Sequence, residues 1–75
     1  MAEVPRISGL EAIRAFEQAG FEVVRVNGSH HILKKSGHTN RLSIPVHGGR
    51  TVGVGLLRRQ IAAAGLTVEQ FNDFL

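Results

Sequence analysis

Two histidines stand side by side in the run Gly28-Ser29-His30-His31, and two more follow at His38 and His47. Histidine titrates at about pH 6.5, so it is the side chain readiest to give or take a proton near neutrality. On a strand, neighbouring side chains point to opposite faces, so at most one ring of the pair faces a core and the other looks outward. Alternation leaves open which ring does so, because Ile32 follows one histidine and Leu33 the other. Spacing alone does not lift the pair above ordinary strand histidines. A metal site is the second reading of four histidines. Adjacent strand histidines diverge, and no Cys, Asp or Glu lies in the surrounding stretch to complete a ligand set. The same stretch is strongly cationic and repels a divalent ion, so neither a metal nor a cofactor is expected. Acid–base chemistry on a phosphodiester suits the setting better.

The charge pattern agrees with a phosphate-bearing partner. The chain has 75 residues and a net charge of +3. From Val23 to Val68 there is no acid, while Arg25, Lys34, Lys35, Arg41, Arg50, Arg58 and Arg59 all fall there. Both ends are net acidic. A basic middle between acidic ends points to an anionic partner, nucleic acid foremost, against the plainer reading of a solvated surface. Lys34, Lys35 and Arg50 are candidates to neutralise phosphate charge. Arg50, Thr51 and the start of the following helix form a second patch, where unpaired N–H groups attract phosphate. Glycines 48, 49, 53 and 55 allow a ligand close to the backbone, or else mark a mobile linker.

The elements that must position these residues are legible from punctuation. Ser8-Gly9-Leu10-Glu11 is a capping box, and Leu10, Ile13 and Phe16 recur at helical spacing, so a helix is expected from about Gly9 to Ala19, with Gly20 after it. Glu22 to Val26 and His30 to Lys35 read as strands around the hairpin signal Asn27-Gly28. A third strand is expected over Arg41 to Val46, with Leu42, Ile44 and Val46 on one face and Arg41 and Ser43 on the other. Pro45 marks an edge or an exit. Val54, Leu57, Ile61 and Ala64 give a second helix ended by Gly65. Thr67-Val68-Glu69-Gln70 caps a short last helix running through Phe74, with Leu66 and Phe71 as a hydrophobic staple. The stretch Ala62 to Thr67 resembles the turn of a helix-turn-helix, but Glu69 and Asp73 on the helix that follows argue against docking in a DNA groove, and the segment reads as a cap on the core. The fold class is α+β, in the order α-β-β-β-α plus a short helix, with a three-stranded antiparallel sheet covered on one face by helices and free on the other. Length allows one domain, 1–75. No cysteine, no signal pattern and no membrane-length apolar run are present, so a soluble, cytoplasmic protein is expected.

Taken together, these residues resemble the HicA toxins, the small ribonucleases of HicA–HicB toxin–antitoxin pairs. The resemblance rests on a first helix ending in Ala19-Gly20-Phe21, then Val23-Val24-Arg25, then Gly28-Ser29-His30-His31. Pro45 and His47 before a Gly-rich approach to the second helix continue it, as does Ala64-Gly65-Leu66-Thr67-Val68-Glu69-Gln70-Phe71. It implies a fold similar to a double-stranded-RNA-binding domain, metal-independent cleavage of mRNA, arrested translation, and inhibition by a HicB antitoxin that covers the active surface. The family's catalytic histidine maps onto His30 and its motif glycine onto Gly28. Ser29, His31, Lys34, Lys35 and Arg50 join Gly28 as expected RNA contacts, and His31 and His47 as weak candidates for a second acid–base group. The alternative is a non-catalytic RNA-binding module of the same fold.

Overall fold

The capping box at Ser8 starts the first helix, α1 (Gly9–Gln18). Ser8 Oγ accepts from the Glu11 N–H at 3.2 Å, and Glu11 Oε1 accepts from the Ser8 N–H at 3.0 Å. Those bonds hold the Glu11 carboxyl below its usual range, the backbone N–H of Ser8 being the main cause. Their stabilisation is therefore present above the ordinary carboxylate pKa and lost as pH falls through the lowered one. The helix ends at Ala19, its C-cap, and Gly20 follows at φ +104°. This computed structural model describes residues 2–75.

Three strands follow: β1 (Glu22–Asn27), β2 (His30–Lys34) and β3 (Leu42–Pro45). They pair antiparallel in the order β1-β2-β3. Asn27, expected inside the first turn, is instead the last residue of β1 and pairs with His30. The turn itself is Gly28-Ser29, with φ +62° at Gly28 and no positive φ at Ser29. Glycine at the first central position with ordinary backbone next is the pattern of a type II′ hairpin. β2 and β3 are slightly shorter than expected: Lys35 accepts from the His38 N–H in the next turn, and Arg41 and Val46 lie just outside β3. Pro45 ends an edge strand, as its missing N–H requires.

The second helix, α2 (Val54–Ala63), and the last, α3 (Val68–Asn72), pack with α1 on one face of the sheet. The capping box at Thr67 and Gln70 forms as expected, though α3 ends two residues before Phe74. Phe71 is fully buried and packs its ring, tilted, against Phe16 with centroids 4.8 Å apart, which makes the C-terminal segment part of the core. Leu33, Leu42 and Ile44 from the sheet meet Phe16, Leu57 and Ile61 from the helices, all essentially inaccessible. Gly9 lets α1 lie directly on the end of β3. A Cβ there would collide with the Pro45 carbonyl oxygen and stand 3.0 Å from Val46 Cγ2.

Two features hold the sheet in register with the helices. His38, in the β2–β3 loop, places Nε2 2.7 Å from the Ala63 carbonyl at the end of α2. A carbonyl only accepts, so Nε2 carries the hydrogen. The His38 ring also meets the edge of Phe21 at 5.4 Å. At the other side, the Ile7 carbonyl accepts from Val52 at 2.8 Å, tying the chain before α1 to the chain before α2.

Candidate functional site

The register decides which histidine looks outward. His31 opposes Ile44, which is fully buried against the helices, so His31 shares the helix-facing side. Its Nδ1 is enclosed without a hydrogen-bond partner. His30 opposes Asn27 on one side and Pro45 on the other, and is exposed on the free face.

Ile32 is the centre of that face. It opposes Arg25 on β1 and Ser43 on β3, while His30 and Lys34 lie before and after it on β2. Diagonal neighbours in an antiparallel pair lie within reach of each other's side chains. Ser43 uses that reach: its Oγ lies 3.3 Å from His30 Nδ1. The Ser43 backbone is fixed in turn, because its N–H donates to Gln60 Oε1 of α2 at 3.0 Å. Gln60 thus anchors the edge strand, Ser43 orients the ring, and Nε2 is left toward the face. A hydroxyl both donates and accepts, so Ser43 can hold Nδ1 in either protonation state.

The expected RNA contacts divide by face. Gly28 and Ser29 form the turn beside His30. Lys34 shares the free face but stands four residues along β2, about 13 Å from His30 by strand rise. It also opposes the carboxylate of Glu22. Lys35 and His31 do not join this face. Lys35 lies against the end of α1, with its ammonium 5.7 Å from the Phe21 ring centre and its stem beside Gly20. His31 is turned from the face that carries His30 by the twofold alternation of β2, and Lys35 lies beyond the end of that strand. Arg50 is exposed in the loop that leaves β3 at the His30 end. That loop is tied to the hairpin by the Val46 N–H, which donates to the Ser29 carbonyl at 2.7 Å, and His47 is exposed within it. Glycines 49, 53 and 55 meet nothing within 4 Å and keep ordinary negative φ, so neither packing nor conformation inside the chain demands them.

Sequence reasoning did not foresee that Gln60 holds Ser43 or that Arg25 opposes Ile32. It set Ser43 on the face opposite Leu42 and Ile44, which was a usable signal. The Gln60 contact is long-range and leaves no local trace. His38 was equally silent, since its partner is a backbone carbonyl.

The site is a face, not a cleft. A groove of about 440 Å³ between α1 and the residues that follow α3, lined by Glu11, Arg14, Gln18, Asp73 and Phe74, does not include His30. It carries carboxylates and belongs to the helical side. A flat, cationic face suits a polymer better than a small molecule. Among the described residues, no three His, Asp or Glu gather closely enough to hold a metal ion, and no helix is long and apolar enough to cross a membrane. Comparison with known proteins gives one family match. The model described as the HicA toxin of bacterial toxin–antitoxin systems covers residues 9–66, from the start of α1 through the residue before the cap of α3. No curated protein matches the chain.

Proposed function

The chain belongs to the HicA toxin family of bacterial toxin–antitoxin systems, and on that premise we propose that it acts as a metal-independent endoribonuclease that cuts mRNA. The observation that carries this reading is the exposed His30, held by Ser43 on a cationic face with its second ring nitrogen free. In the proposed reaction a ribose 2′-hydroxyl attacks the adjacent phosphorus and its proton passes to His30 Nε2. The new O2′–P bond forms, the P–O5′ bond breaks, and the departing 5′ oxygen takes up a proton. The products are a 2′,3′-cyclic phosphate and a 5′-hydroxyl. His47, at the same end of the sheet, is the remaining candidate for the second proton transfer. The test is incubation of a 3′-labelled RNA with the protein, with and without a chelator. Cleavage in both, leaving 5′-hydroxyl ends on the labelled fragments, is the expected result. RNA bound but uncut identifies a non-catalytic binding module instead.

The Gln60–Ser43–His30 chain makes a graded prediction. Ser43→Ala removes one hydrogen bond from the ring, worth about 1 kcal/mol, and should slow cleavage roughly fivefold to tenfold. Gln60→Ala should slow it to a similar or smaller extent, and Gln60→Glu, which keeps an acceptor oxygen, should restore most of the loss. The parent rate in all three would mean that the ring needs no support from β3.

Family membership implies a HicB antitoxin. We propose that it covers the free face and buries His30, because an acidic partner is steered to this surface and competes with phosphate for the same cations. Amides from Gly28 to Ile32 should then gain protection from hydrogen exchange in the complex, and excess RNA should weaken it. Protection confined to residues 68–75 would point to inhibition from a distance.

A further inference from the structure

Period-two alternation places Arg25 on the same side as Val23, which packs against the core, and so away from His30. The structure does not keep that alternation. The register of β1 against β2 slips between Val23 and Arg25: Val23 opposes Leu33 and Arg25 opposes Ile32, leaving Val24 as an extra residue. That is a β-bulge, a device that re-aims a side chain and concentrates beside active sites. Here it turns Arg25 onto the free face. The cost is visible, for Val24 and Val26 are 48% and 57% exposed.

We propose that the bulge exists to aim Arg25 at the scissile phosphate, and that Arg25 is the residue that binds and neutralises it beside His30. This rests on the ribonuclease reading given above. The argument is one of placement. Arg25 and Ser43 flank Ile32 on opposite sides, so Arg25 is diagonal to His30 just as Ser43 is, and the Ser43 diagonal is closed by a contact to the ring. A phosphodiester over Ile32 would lie between the imidazole and the guanidinium. Of the three expected cations, Arg50 stands in the loop beyond β3 and not on a strand beside Ile32, and the two lysines serve less well. Lys35 is on the other face, and Lys34 faces Glu22 across the strands at the far end of β2. Arg25 opposes an aliphatic residue, so its charge is left for a ligand. Its planar fork also matches two phosphate oxygens at once, which an ammonium does not.

The test compares Arg25→Gln, Arg25→Lys and Lys34→Gln, first for cleavage and then for binding to RNA in a His30→Ala background. Arg25→Gln should lower kcat about 10²–10³-fold, the scale of losing one group that stabilises developing negative charge. Arg25→Lys should recover only part of this loss, and Lys34→Gln should act mainly on KM. All three should melt with the parent protein, since these side chains are exposed. In the binding arm, Arg25→Gln should reduce the log–log salt slope by roughly 0.7, one phosphate contact on a single strand. A kcat for Arg25→Gln within twofold of the parent, or an unchanged salt slope, overturns the proposal. An uncut RNA with the slope still reduced leaves the Arg25–phosphate contact standing and removes the ribonuclease reading instead.

Discussion

Replacing His30 with alanine should slow RNA cleavage about 10²–10⁴-fold, the usual worth of a positioned acid–base group. The size follows from the site's economy: Ser43 holds one ring nitrogen, the other is free, and no second histidine shares the face on β2. The fold should survive. His30 is exposed, and its neighbours across the sheet are Asn27 and Pro45, so no core contact is removed. Melting and circular dichroism should therefore match the parent while gel-resolved cleavage collapses and growth arrest on expression disappears. Cleavage at the parent rate would sink the catalytic assignment. Loss of folded structure would mean that His30 supports the sheet and that the activity loss carries no chemical meaning.

The largest expected effect on stability comes from a single methyl group. Gly9→Ala places a Cβ against the Pro45 carbonyl oxygen and 3.1 Å from the Val46 Cα. Both are backbone atoms, so no rotamer change relieves the clash, and α1 must lift from the end of β3. Overpacking typically costs about 1–3 kcal/mol, and a backbone collision belongs at about 3. For a domain of this size that lowers the melting temperature by roughly 12–24 °C. Gly49→Ala is the matched comparison, because nothing lies within 4 Å of its added Cβ and its φ is ordinary. It should melt with the parent. A Gly9→Ala protein that does the same would show that α1 can slide on the sheet without loss.

How much of this could be read from the chain depends on the range of the interaction. Both capping boxes formed on the residues named for them, because Ser8 with Glu11 and Thr67 with Gln70 are contacts between near neighbours. The burial of Leu42 and Ile44 followed from alternation, since β3 pairs without interruption. Choosing between His30 and His31 was beyond alternation, because apolar residues follow both. It took the cross-strand partner Ile44 to decide. Arg25 was hidden more thoroughly. A bulge is one residue of slippage between two strands, and a single strand read alone keeps its period. Gln60 and His38 act through a backbone N–H and a backbone carbonyl, groups that every residue carries, so side-chain types gave no sign of either contact.

The anchor between α2 and β3 has another effect, at the border of the sheet. On the outer side of β3 the alternate residues are Ser43 and Pro45. The N–H of Ser43 is already given to Gln60, and Pro45 has none to give. That edge offers no free donor to a neighbouring molecule. β1, at the opposite border, has no such cover and is interrupted only by its bulge. Growth of a sheet from molecule to molecule needs two adhesive edges on every unit, and this one has a single edge. Donor-and-acceptor pairing of a further strand onto this sheet is therefore left to the β1 border.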